Sequence, residues 1–330
     1  MPAAEAEALA RDRYGLDITA TRLATEKDDT FWLEAAPGPK DSSGRRWILK
    51  VAHPAEPPAE IGFQVELLNH VAQADPAVPV PRVLPDLRGR SWATITDDAG
   101  QDRPVRLMTY CAGVPLDRIP STRAQRWATG QLLARLRHAM AGFAHPAGSP
   151  VVAWDVQHLP RLRPLLASIG EPGRRAQLAR GLDRFALIEA EVAALRRQVL
   201  HNDFNKSNLL ADPDHPDVIT GIIDFGDAAR TAIAIDVATA LLNQLPRVTG
   251  PGGTGQAELT GDVFADARDV LAGYLSLADL TPGELRLIPH LVMARVVARA
   301  LISTHRAAQF PDNATYLLRN TEPGWAQLGW

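Results

Sequence analysis

The densest run of chemically capable side chains in this 330-residue chain is Val199-Leu200-His201-Asn202-Asp203-Phe204-Asn205-Lys206-Ser207-Asn208-Leu209-Leu210. Apolar pairs bracket a carboxylate, an imidazole and several amides, a set suited to acid/base work and metal binding. A short loop later, Gly221-Ile222-Ile223-Asp224-Phe225-Gly226-Asp227 puts another carboxylate at the end of an apolar strand. At these spacings Asp203 can accept a proton from a hydroxyl, while Asn208 and Asp224 present oxygens to a hard cation such as Mg2+. Either run alone reads better as a polar hairpin whose Asp and Asn side chains satisfy turns. Two such runs, each flanked by apolar strand, point to a site.

A lysine adds to this pattern. Of 35 basic residues only Lys27, Lys40, Lys50 and Lys206 are lysines, an arginine excess of the kind GC-rich codon usage produces. Lys50 sits near the end of the apolar strand Trp47-Ile48-Leu49-Lys50-Val51, where a solvated charge is not the default, although an edge lysine can snorkel to water.

The elements that must position these residues divide in two. Up to about residue 110 the chain reads as strands (17–24, 30–35, 46–52, 91–96 and 104–109) with one main helix at 60–74 carrying Ile61, Val65, Leu68 and Ala72 at helical spacing. The proline- and glycine-bearing stretch 36–45 reads as a hairpin loop, and 248–258 as a surface loop without the lysine of a phosphate-binding glycine loop. After residue 115 the pattern becomes helical, at 121–143, 173–197, 235–246, 262–278 and 282–308, interrupted only by the two short β-like runs of 198–230. The expected plan is α+β and bilobal: residues 1–107 form a small β-rich lobe, 108–114 a hinge, and 115–330 a larger, mostly helical lobe.

Composition narrows the partners. A net charge of −3 supplies no basic field for nucleic acid or anionic lipid. No apolar run approaches the length of a membrane span, and the acidic, amphipathic N-terminus has no signal-peptide pattern, so a cytoplasmic protein is expected. The single cysteine, Cys111, leaves no internal disulfide.

His201-x-Asp203-x4-Asn208 followed by Ile223-Asp224-Phe225-Gly226-Asp227 resembles the catalytic loop and metal motif of the aminoglycoside phosphotransferase and choline kinase family, small-molecule relatives of the protein kinases. The resemblance covers about residues 15–310 and implies a protein-kinase-like fold, ATP or GTP as donor and Mg2+ as cofactor. It makes Asp203 the base, Asn208 and Asp224 the metal ligands, His201 a brace for the loop, Asn205 part of the loop's framework, and Asp227 a metal-binding aid or turn cap. Lys50 falls at the family's phosphate-orienting lysine. The helix glutamate that usually pairs with it is replaced by Gln64, with Glu66 or Glu60 as partners in another register. The loop over the phosphates, Thr25-Glu26-Lys27-Asp28-Asp29-Thr30, has no glycine, so backbone groups around Asp28, Asp29 and Thr30 would cradle the phosphates. Met108, Thr109, Tyr110 and Cys111 align with the adenine-binding hinge, and Asp236 is expected to cap the helix behind the site.

Asp203-Phe204-Asn205, Trp154-Asp155 and Ala72-Gln73-Ala74-Asp75-Pro76 are similar to the hydroxylysine-kinase-like branch, which implies a small hydroxylated amine as acceptor. Asp155, Asp227 and Glu322 are the carboxylates available to meet such a cation. Two other classes compete: a nucleotide-binding pseudokinase, for which Gln64 leaves room, and a metal-dependent hydrolase built on His201 and Asp203. The remaining histidines form no His-x-His or His-Glu-x-x-His set for the latter. The sequence sets neither the acceptor nor the oligomeric state.

Overall fold

The computed structural model describes residues 1–25, 27–35, 45–246, 262–319 and 321–329, with backbone alone at 316, 322, 323, 326 and 329. The loops expected at 36–45 (residue 45 apart) and 248–258, with Glu26, Lys40 and the Glu322 side chain, lie outside the described residues.

The N-terminal lobe runs α1 (Ala3–Tyr14), β1 (Thr19–Leu23), β2 (Asp29–Glu34), β3 (Arg46–Val51), α2 (Pro58–Ala74), β4 (Val83–Leu84), β5 (Ala93–Thr96) and β6 (Asp102–Thr109). The strands form one antiparallel sheet in the order β1-β2-β3-β6-β4, with β5 also paired to β6. Strand side chains alternate between faces, and here each face has its own task. Phe31, Leu33, Trp47, Leu49, Val51, Val105 and Leu107 form a core under Ala6, Ala10 and Tyr14 of α1. The intervening residues Thr30, Trp32, Ile48, Lys50, Arg106 and Met108 line a cleft on the opposite face. Lys50 is registered directly against Thr30 on one side and Arg106 on the other.

Helix α1 is a second helix in a lobe where the sequence pattern implied one. Its buried stripe is Ala6, Ala10 and Tyr14, and two alanines carry little hydrophobic signal. The expected main helix is α2, and it faces two ways. Ile61 and Val65 pack with Ala52 beside Trp92, while Phe63, Leu67, Leu68 and Val71 join the core of the C-terminal lobe. Gln64 is buried between these contacts.

The C-terminal lobe continues with β7 (Val114–Pro115), α3 (Arg123–Ala139), a 3-10 segment over Val156–Ser168, α4 (Pro172–Ala193), β8 (Arg197–Leu200), β9 (Leu209–Ala211), β10 (Ile219–Ile222), β11 (Ala229–Ala232), α5 (Ile233–Leu242), α6 (Ala265–Leu275), α7 (Pro282–Gln309) and α8 (Ala314–Leu318). The helical stretch after Trp154-Asp155 is 3-10 rather than α because Pro160 and Pro164 remove donors and crowd the preceding turn. The 28-residue α7 starts at a Thr281/Glu284 capping box. Buried Glu284 also receives two bonds from Arg196, at 2.5 and 2.9 Å. Among the described residues no helix is long and apolar enough to cross a membrane.

Helices α3 and α6 cross at two glycines. A Cβ on Gly130 would lie 2.0 Å from the Val270 carbonyl, and one on Gly273 would lie 2.2 Å from the Trp127 carbonyl. Backbone cannot yield as a side-chain tip can, so Gly273→Ala is expected to force the helices apart and destabilise the fold by about 1–3 kcal/mol. An unchanged urea midpoint for this variant would show that the crossing has slack.

Candidate active site

Two loops carry the chemistry. The first joins β8 to β9 and contains His201 to Asn208; the second joins β10 to β11 and contains Ile223 to Ala228. Three bonds lace them together: His201 Nε2 donates to the Ile223 carbonyl (3.1 Å), the Ile223 amide to the Asn208 carbonyl (2.9 Å), and Asn202 Nδ2 to the Asp227 carbonyl (3.2 Å). His201 is fully buried against Phe225 and Phe204, and its Nδ1 accepts the Asp203 amide. Its neighbours therefore select the Nε2–H tautomer. Both loops turn through the left-handed region at a non-glycine residue, Asn202 (φ 62°) and Asp224 (φ 65°). Asn and Asp tolerate that conformation better than other side chains do.

Asp203 is held on every side. Its Oδ1 accepts Arg295 Nη2 from α7 at 3.0 Å, and Oδ2 accepts Asn205 Nδ2 and Asn208 Nδ2, each at 2.9 Å. Arg295 is fixed in turn by the Trp154 carbonyl and lies over the Trp154 ring. Burial raises the Asp203 carboxyl, and the charge of Arg295 with the Asn205 bond restrains the rise, which keeps a carboxylate basic enough to take a hydroxyl proton. Lys50, across the cleft, is the leading cause that holds Asp224 below the usual carboxylate range against its burial. Burial, with Asp203 beside it, pushes Asp227 up to about 7.

These residues sit where two cavities meet. One, of about 580 Å3, lies between the sheet and the C-terminal lobe and brings together Thr30, Lys50, Gln64, Met108, Thr109, Tyr110, Cys111, Asn208 and Asp224. The other, of about 320 Å3, lies under α7 and holds Asp203, Asn205, Asn208, Asp224 and Asp227. The segment after β6 is tied to β10 by Thr220, whose hydroxyl donates to the Ala112 carbonyl at 2.6 Å. Gly113, at φ 146°, has no room for a Cβ, which would lie 2.5 Å from that hydroxyl. Burial pushes the Cys111 thiol up to about 11, which disfavours the reactive thiolate.

Several expectations need correction. Asp29 does not reach the cleft: its carboxylate turns to the other side of the sheet and binds Arg103 (2.7 Å), the chain's amino terminus (3.0 Å) and Arg22. Asp28 also stays outside, its Oδ1 accepting the His53 amide at 3.1 Å. The Thr30 and Phe31 backbone is paired on both edges within the sheet, so it cannot cradle phosphates; Ala24 and Thr25 line the cavity instead. Gln64 does not hold Lys50, since its Oε1 accepts Arg106 Nη2 at 2.9 Å. Glu66 faces His145, and Glu60 lies beside Glu56. Asp236 is not a helix cap: it lies inside the first turn of α5 and accepts the Asn202 amide at 2.7 Å. Asp155 is buried, binds Gln157 and Thr231, and lines neither cavity.

Sequence reasoning missed Arg106, Arg295 and Asp117. Arg106 carried a readable signal, an arginine inside the apolar strand Val105-Arg106-Leu107, the same anomaly that marks Lys50. Arg295 carried none, because its contact with Asp203 spans 92 residues.

Comparison with known proteins fits this geometry. The sequence profile of the phosphotransferase enzyme family matches residues 21–274. The chain belongs to that family. Hydroxylysine kinase of Mus musculus is 23% identical over 346 aligned positions, covering 98% of this chain and 88% of that protein. Among solved structures, a microcompartment-associated aminopropanol kinase superposes with a TM-score of 0.74 at 21% identity, covering 99% of this chain and 97% of that one. An amicoumacin kinase in complex with AMP-PNP and Ca2+ gives 0.65 at 18% identity over 92% and 87%. The fold is the bilobal, protein-kinase-like one of this phosphotransferase family, and the protein is an enzyme of the kinase type. Among the described residues no group of three or more His, Cys, Asp or Glu side chains could hold a metal ion.

In this phosphotransferase, Arg295→Met is expected to raise the Asp203 carboxyl, because the nearest cation is gone. The acid limb of the kcat/KM profile should move to higher pH by about 1–3 units. An unmoved limb would mean that Arg295 does not set the charge of Asp203.

Proposed function

We propose that the protein transfers the γ-phosphoryl group of ATP, or of GTP, to a hydroxyl of a small amine-bearing molecule, acting in the cytoplasm. Residues 1–107 would serve as the nucleotide lobe, 108–114 as its hinge, and 115–330 as the lobe that holds the acceptor. The observation that carries this reading is the place of Asp203: a restrained carboxylate in the charged cavity, bonded directly to Asn208, which borders the other cavity as well.

Phosphoryl transfer asks for position, charge neutralisation and a base. The acceptor hydroxyl would give its proton to Asp203 as its oxygen bonds to the γ-phosphorus, and the bridging bond to the β-phosphate breaks to release the nucleoside diphosphate. Asn208 and Asp224 fit a hard divalent cation such as Mg2+. Asn208 Nδ2 is used on Asp203, which leaves Oδ1 as the ligand atom, and Lys50 keeps Asp224 ionised. Held there, such a cation would neutralise phosphate charge. His201 would keep the loop in shape, and Asn205 would orient Asp203.

The acceptor cavity carries both signs of charge. Asp117, Asp203 and Asp227 line it, and so do Arg295, Arg299 and Arg306 from one stripe of α7. That pairing favours an acceptor with both an ammonium and a carboxylate, a hydroxylated amino acid of the kind named for the hydroxylysine kinase relative, over a polycationic aminoglycoside.

Asp203→Asn should lower kcat by about 10²–10⁴-fold while nucleotide affinity stays nearly constant; retained turnover would remove Asp203 as the base. With Mg2+ and ATP, nucleotide consumption should be fastest with hydroxylated amino acids, slower with amino alcohols and slowest with aminoglycosides. An aminoglycoside at the head of that ranking would overturn the assignment of acceptor class.

A further inference from the structure

The cleft face of the sheet carries a second cation besides Lys50. Arg106 is 4% exposed, borders the 580 Å3 cavity, and stands opposite Lys50 in the β3–β6 register. Side chains of directly opposed residues project on the same face about 5 Å apart. Its guanidinium has no ion-pair partner among the described residues. Nη2 donates to the neutral oxygen of Gln64 at 2.9 Å, and Nη1 is buried without an acceptor.

An arginine does not shed its proton to escape burial. Burying an uncompensated charge with an unmatched donor is costly, and folded proteins normally supply a carboxylate. Here Asp28, Asp224 and Glu56 support the charge only from a distance, against burial that disfavours it. Asp224 in turn draws on both Lys50 and Arg106. The cavity wall therefore holds two cations side by side, short of negative charge until an anion enters.

We propose that Arg106 is a phosphate-binding residue, forming with Lys50 a two-cation cradle for the nucleotide's phosphate chain, and that Gln64 is its neutral holder. Guanidinium geometry suits bidentate contact with phosphate oxygens, which the ammonium of Lys50 cannot provide. The departure at Gln64 then has a physical reason. A glutamate there would cancel the Arg106 charge, whereas an amide fixes the guanidinium by one hydrogen bond and leaves the full charge for the ligand.

This assignment rests on the nucleotide reading above, and the test separates the two. Calorimetric titrations of the full chain with adenosine, ADP and ATP, in the presence of Mg2+, compare the wild type with Arg106→Met, Arg106→Lys and Gln64→Glu. In Arg106→Met the affinity for ADP and ATP should fall about tenfold or more with adenosine affinity unchanged, and Arg106→Lys should restore part of the loss. Gln64→Glu, which replaces one terminal group and keeps the side-chain shape, should cut the ADP-to-adenosine affinity ratio in the same direction; it carries the test if Arg106→Met folds poorly. An unchanged ratio in these variants, or an equal loss for adenosine, would overturn the assignment and leave Arg106 a structural prop. A wild-type protein that binds no ATP would overturn the kinase reading, and this assignment with it.

Discussion

Four carboxylates, Asp203, Asp224, Asp227 and Asp236, gather on and beneath two short loops, and they cannot all stay ionised unless cations are brought to them. Like charges in a shared, partly dry site push one another's pKa up. Asp227 is raised to about 7 by burial and Asp203, and Asp236 to about 6 mainly by burial. Asp224 escapes because Lys50 of β3 faces it, and Asp203 is restrained because Arg295 of α7 reaches it. Neither cation is local in sequence. Much of the architecture can be understood as the delivery of those charges: a sheet whose cleft face carries Lys50, and a long helix anchored at Thr281 and Glu284 that carries Arg295.

The same electrostatics explains why the buried groups are fixed so firmly. Asp236, pushed up to about 6 by its burial, accepts the Asn202 amide and supports a left-handed turn. His201 spends both ring nitrogens on the backbone of the two loops. Asp236 and His201 thus fix the loops around the base without lining the acceptor cavity, whereas Arg295, which bonds Asp203 directly, lines it together with Arg299 and Arg306 of α7.

Periodicity made the strands and helices legible, since β3 alternates cleanly and α2 and α7 keep an apolar stripe. The catalytic and metal motifs were legible because they are contiguous and their residue types are chemically specific. What was hidden depends on strand register and long-range packing. Asp29 and Thr30 are neighbours in sequence, but alternation sends one to an ion cluster and the other to the cleft. Gln64 could be placed near Lys50 from helix alignment, yet its partner was decided by which residue of β6 lies across from Lys50. The arginine excess also hid Arg106, since one arginine among 31 draws less notice than one lysine among four.

The two cavities differ in their linings, and on the proposed assignment of nucleotide to one and acceptor to the other that difference constrains how the reaction can proceed. The proposed nucleotide cavity is walled by Trp32, Ile48, Leu68, Met108 and Leu210, surfaces suited to a flat, weakly polar base, with Lys50 and Arg106 side by side on the sheet. The acceptor cavity is walled by aspartates and arginines, which favour a compact charged molecule. Asn208 and Asp224 are the described residues that border both. A phosphoryl group passing from one ligand to the other must cross beside these two side chains, the pair whose oxygens suit a divalent cation. Charge neutralisation is therefore available at the crossing point, and Asp203, bonded to Asn208 from the acceptor side, is within one hydrogen bond of it.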